Sequence, residues 1–298
     1  EVCAKWSDID GLKDMRLVNA LIKVHETTGA KFVFVIDEWD AVFRYYPDDE
    51  DLQKNWIHFL RDMFKQEDID ESVALVYMTG ILPVKKYKTQ SSLNQFFEYT
   101  MLRPLELEKY VGFLPAEVDA LCEKFDMNRA EAAEWYDGYM LPHEHHVYNP
   151  CSVARAMKSR TYGSYWTKTD TFESLLDYIN NDLDGVYSDV MSMIGGKRVV
   201  IDTNSYDNSF TTPQCKDDCF TLLAHIGYLS YDATTSQVFI PNEEVRMAFR
   251  GALKMCSWPE SIKPYQRSQK FIEAILCEDS TTVARMVEET HQYMTSVL

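Results

Sequence analysis

The first regular pattern of apolar and polar positions runs from Leu12 to His25, where Leu12, Met15, Val18, Leu21, Ile22 and His25 recur at helical spacing. Asp8 or Asp10 can cap such a helix and Gly29 can stop it, which predicts a helix reaching about Thr28. Phe32-Val33-Phe34-Val35-Ile36 breaks the period. A continuous β-branched and aromatic run of this kind predicts a strand buried on both faces, as in a parallel sheet. After a turn at Pro47, the acidic stretch from Asp48 to Asp51 suits a helix N-terminus, and Trp56, Leu60, Met63 and Phe64 mark the apolar face of an amphipathic helix. Val73 to Met78 reads as a second buried strand. Strand, helix and strand in this order make a βαβ unit with a right-handed crossover.

Beyond Thr79 helical patterns dominate. Pro115 sits at a helix start before Val118, Leu121 and Cys122, and Asn128 with Glu131 forms a capping-box pattern before Trp135 and Tyr136. A stretch rich in Gly, Ser, Thr and Tyr from Ser159 to Thr171 suggests a boundary, and Asp202 to Ser209 reads as a loop. A helix through Phe220, Leu222, Leu223 and Ile226 then ends at Gly227. It is followed by strands from Tyr228 to Asp232 and Gln237 to Ile240 around a turn at Ala233 to Ser236. A further helix runs through Val245, Ala248, Phe249 and Leu253. Helix, hairpin, helix is the pattern of a winged-helix module. Pro264 to Leu298 reads as two helices broken near Glu278-Asp279-Ser280.

Composition narrows the classes. The chain has 298 residues, 46% of them apolar, and a net charge of 30 − 47 = −17, which describes a soluble globular protein of about two domains. That charge disfavours non-specific binding to nucleic acid or an anionic membrane. The apolar runs fall far short of the roughly 18 residues of a membrane span, and residues 1–30 lack a signal peptide's apolar core, so a cytoplasmic setting is expected. The seven cysteines contain no C-x-x-C pair and read as reduced thiols. Cys215 and Cys219 share a helix face without a second pair nearby, and His143-Glu144-His145-His146 reads as a solvated turn rather than a metal site.

The sharpest chemical signal is Phe34-Val35-Ile36-Asp37-Glu38-Trp39-Asp40. A buried strand ending in two carboxylates is a Walker B arrangement, in which Asp37 helps hold Mg²⁺ and Glu38 orients or deprotonates the water that attacks a γ-phosphate. An ordinary acidic strand end has the same residues. Thr79, at the carboxyl end of the neighbouring strand, is placed to sense that phosphate, or else to serve as a turn residue. No window fits the phosphate loop G-x-x-x-x-G-K-[ST], and Gly195-Gly196-Lys197 is a decoy because position 191 is Met and Arg198 follows the lysine. Arg155 fits either a second phosphate-sensing arginine or a surface ion pair.

These motifs in order resemble the predicted AAA-ATPase-like proteins of bacteria, whose ATPase region is typically joined to a C-terminal PD-(D/E)xK nuclease-like domain. The resemblance covers roughly residues 15–255. It rests on Val35 to Asp40, with Trp39 at the family's usual Tyr, and on Thr79-Gly80-Ile81, Ser92-Leu93-Asn94 and Gly112-Phe113-Leu114 with Glu117-Val118. Trp135 to Tyr139, Tyr148 to Val153, Gly227-Tyr228-Leu229 and Ile240 to Val245 complete it. It implies an α/β fold: a partial P-loop NTPase-like parallel sheet core (1–108), a helical lid (109–160), a winged-helix-like module (161–262) and a helical tail or linker (263–298). It implies ATP and Mg²⁺ as cofactors, with Asp37 on the metal and nucleotide, Arg155 on the nucleotide, and Glu38 and Thr79 catalytic. The family's phosphate loop is expected upstream of Glu1, so the chain reads as truncated or degenerate. Its nuclease core is expected downstream, since no lysine here has Asp or Glu two positions before it.

The expected role is a nucleotide switch that controls an associated nuclease-like domain or protein partner, with homo-oligomers allowed. A non-catalytic interaction module is the second reading, and a winged-helix DNA-binding regulator the third. Residues 197–267 carry eight Lys and Arg against eight Asp and Glu, which gives the wing no basic excess for DNA. Trp135, Tyr136 and Tyr139 read as core of the lid rather than a base-stacking platform.

Overall fold

The β-branched run Phe32–Ile36 forms strand β1, and Val73–Met78 forms strand β2, which lies parallel to it with Val33 opposite Leu75 and Ile36 opposite Met78. Between them lie helices α2 (Ala41–Tyr45), α3 (Glu50–Phe64) and the single turn α4 (Glu67–Asp70). The computed structural model describes residues 5–46, 48–65, 67–81, 96–143, 146–166, 183–203, 213–255, 271–272 and 274–296. The expected loop at 202–209 and the Ser92-Leu93-Asn94 motif lie largely or wholly outside these residues. Over the described residues the fold is mixed α/β, mostly helical, with three small sheets and no barrel.

Helix α3 starts where its acidic residues predict, with Asp49 Oδ1 accepting the Leu52 N–H at 2.9 Å. Ile57, Leu60, Met63 and Phe64 face inward, joined by Leu21 from helix α1 (Leu17–Thr28). Helix α1 begins later than its apolar spacing predicts. Met15 and Arg16 are extended, so Leu12 falls in a separate 3₁₀ turn and the buried face is Ala20, Leu21 and Val24. Both helices lie against one face of the sheet, where Phe32, Phe34, Ile36, Val73, Val76 and Met78 meet them. The other face corrects the expectation of two buried faces. Val33 and Val35 are 60% and 70% exposed, and Leu75 and Tyr77 are 54% and 52% exposed, because no layer among the described residues covers them.

A second cluster forms around helices α5 (Pro115–Phe125), α6 (Arg129–Tyr136) and α7 (Pro150–Ser159). Asn128 caps α6 through the N–H groups of Ala130 and Glu131, and Asn149 caps α7 through Ser152. Tyr136 is buried here with Trp135 packed against the cluster, while Tyr139 is buried in a small adjoining cluster with Leu141 and Val147, so all three are packing residues rather than an exposed platform. Strands β3 (Tyr139–Met140) and β4 (His146–Val147) pair antiparallel beside it.

The third cluster contains α8 (Val186–Ile194), α9 (Lys216–His225), α10 (Glu243–Met255) and strands β5 (Val199–Val200), β6 (Ser230–Asp232) and β7 (Gln237–Phe239). The helix, hairpin and helix appear where the sequence puts them. Strand β5 was not expected, and it makes the sheet order β5-β7-β6. Gly195 and Gly196 end α8, so the Gly-Gly-Lys decoy is a helix stop. Helix α11 (Ser280–Ser296) follows the break expected at Glu278 to Ser280.

The second and third clusters are joined by a buried carboxyl group. Glu244, 1% exposed, accepts Ser152 Oγ at 2.6 Å and the N–H groups of Tyr165 and Trp166 at 2.5 and 2.8 Å. Beside it Asn242 caps α10 through Val245 and donates to the Asp137 carbonyl at 3.0 Å. Gly138, at φ 101°, meets Pro241 so closely that a Cβ there would lie 2.2 Å from its carbonyl oxygen.

Two stability outcomes follow. Glu244→Ala strands one buried and two part-buried donors and should destabilise the protein by about 1–3 kcal/mol, read as a lowered denaturation midpoint. His225, in the last turn of α9, has its pKa lowered to about 4 by burial, against 6.5 in the open chain. The unfolded chain therefore binds the proton more readily between these values. Stability from this group should fall as pH drops from about 6.5 to 4, by on the order of 3 kcal/mol in total, and denaturation of His225→Asn across that range should lack this component.

Candidate functional site

Asp37, Glu38 and Thr79 come together at the carboxyl ends of β1 and β2. The parallel ladder continues past the strands: Thr79 N–H donates to Ile36 O, and Trp39 N–H to Thr79 O, each at 2.9 Å. This places the Thr79 side chain beside Asp37, and the Thr79 hydroxyl donates to Asp37 Oδ1. The same oxygen accepts the Glu38 N–H at 3.0 Å. The hydrogen bonds that Asp37 accepts from described residues thus fall on Oδ1.

Glu38 has φ 51°, a left-handed conformation that costs a non-glycine residue about 1 kcal/mol. Such strain clusters at functional sites. The turn it makes carries the chain into Trp39 and Asp40, both buried. The Trp39 carbonyl accepts the Trp56 indole N–H at 2.9 Å, which fixes the turn to α3. Asp40 is fully buried and its Oδ2 accepts Arg44 Nε at 3.1 Å and the Ile81 N–H at 3.3 Å. Arg44 also lies 3.2 Å from Glu38 Oε2. Burial alone would lower the Arg44 pKa, but Asp40, followed by Glu38, outweighs it and raises the value.

Arg44 lies in none of the motifs, and Asp40 and Gly80 stand in motifs quoted above without a role of their own. The i,i+4 spacing of Asp40 and Arg44 was a usable signal for an ion pair. Gly80 is explained by space: a Cβ would stand 2.6 Å from Trp39 Cδ1 and 2.8 Å from Asp40 Oδ1.

Arg155 is not part of this group. It lies exposed on α7 and donates to the Tyr165 carbonyl at 3.1 Å, and among the described residues no hydrogen bond or ion pair joins it to Asp37, Glu38 or Thr79. An open cleft lined by Tyr45, Tyr46, Asp48, Asp49, Glu50, Asp51 and Lys54 lies at the α2–α3 connection and includes none of these three either.

No family model matches the chain, and neither does any curated protein or solved structure. The reading of the site therefore stands on its chemistry.

Mg²⁺ takes hard oxygen ligands, with one or two carboxylates completed by water and phosphate oxygens. The Asp37 carboxylate and the Thr79 hydroxyl are donors of that kind, so this strand end fits such a cation. No group of three or more His, Cys, Asp or Glu side chains among the described residues is arranged to hold a metal unaided. A triphosphate fits less well, because the 298 residues contain no G-x-x-x-x-G-K-[ST] loop to cradle it.

The other metal-like residues are engaged elsewhere. His143, exposed in a turn, and His146 each contact a carboxylate at 2.6 Å, Glu108 and Asp137 respectively. Cys219 is buried, and burial pushes its thiol up to about 12, which opposes the thiolate that zinc requires.

Gly80→Ala should force Trp39 or Asp40 to shift and cost about 1–3 kcal/mol. A lowered melting temperature together with altered Trp39 fluorescence would register it, and an unchanged melt would contradict the packing described.

Proposed function

We propose that this chain carries the cation-binding and water-activating side of an ATPase-type nucleotide switch, of the AAA-ATPase-like kind its motifs resemble. The observation that carries the reading is the hydrogen bond from the Thr79 hydroxyl to Asp37 across adjacent parallel strand ends, next to a strained Glu38. Thr79 orients the Asp37 carboxylate, and Glu38 supplies a carboxylate able to take a proton from water. Mg²⁺, when bound, would neutralise phosphate charge. The reading requires a phosphate-binding loop from outside these 298 residues, and it gives Arg155 no part at the strand ends.

In this reading the nucleotide state alters how the sheet unit packs on the two helical clusters and so regulates an associated nuclease-like domain. The assembly of α8–α10 with β5–β7 is read as a winged-helix-like module used for docking. Helix α9 buries Cys219 through Ala224 and opens with Asp217 and Asp218, which suits a packing helix better than one that enters a DNA groove.

A second reading, a non-catalytic interaction module, is favoured by the sheet face of Val33, Val35, Leu75 and Tyr77, which no layer among the described residues covers.

Calorimetric titration of the gene's full-length product with Mg²⁺ and ATP separates the two. The switch reading expects saturable, Mg²⁺-dependent binding, weakened in Asp37→Asn, and a loss of turnover of about 10²-fold or more in Glu38→Gln with binding retained. Absence of Mg²⁺–ATP binding by the full-length product would remove the ATPase reading and leave the interaction module.

A further inference from the structure

We draw no further inference here: the strongest candidate, the exposed apolar face that Val33 and Val35 of β1 and Leu75 and Tyr77 of β2 form on the side of the sheet away from α1 and α3, carries nothing because nothing in the structure shows what covers it.

Discussion

The buried carboxylate of Asp40 is the constraint around which this end of the sheet is organised. A fully buried carboxylate needs a cation and donors close by, and Arg44 and the Ile81 N–H supply them. Meeting that need ties together the end of β1, the start of α2 and the backbone just past β2. Gly80 has no side chain because Trp39 and Asp40 occupy the space where one would stand. With these pieces fixed, the turn at Glu38 has little freedom, and Asp37 and Thr79 are left facing each other at the two strand ends. A motif that reads as two adjacent acids in sequence becomes a site because a third acid two residues later is buried.

The other motifs behind the family resemblance do a different job. Residues from Trp135 to Tyr139, Tyr148 to Val153 and Ile240 to Val245 are far apart in sequence, yet they meet at one junction. There Glu244 receives Ser152, Asn242 receives Val245 and reaches Asp137, and Gly138 sits against Pro241. These contacts join the α5–α7 cluster to the α8–α10 cluster through buried polar groups, whose directional bonds fix register as apolar packing does not. Their residue types are therefore accounted for by architecture.

Local elements were legible in the sequence because local rules decide them. The Asn128 cap, the Asp49 cap and the β6–β7 hairpin appear where side-chain chemistry puts them. The start of α1 was misplaced, since apolar spacing continued through Met15 and Arg16 while the backbone there became extended. Strand β5 was missed because two residues, Val199 and Val200, carry too little pattern to stand out, and pairing with β7 defines the strand. Burial of the first sheet was overestimated for a related reason. An apolar run records that both faces favour cover, but which layer covers them is a tertiary fact, and among the described residues α1 and α3 supply one layer only. The Asp37–Thr79 contact was foreseeable from two parallel strand ends. The pairing of His146 with Asp137 was not, because it depends on how a short hairpin folds back.

Charge sharpens what the strand-end group can take. Asp37, Glu38 and Asp40 against Arg44 give −3 + 1 = −2 within a few residues, in a chain whose excess of acid lies entirely outside the neutral segment 197–267. A bare phosphate would be repelled from such a place, while a divalent cation would cancel the local charge. In the proposed reading, phosphate would therefore approach only together with its cation, or after one is already bound. This ordering distinguishes the site from one built on lysines and arginines, where phosphate binds first and the metal follows. The arrangement of Asp37 and Thr79 itself depends on the strand ends and on Asp40, and on no group that a phosphate would have to bring.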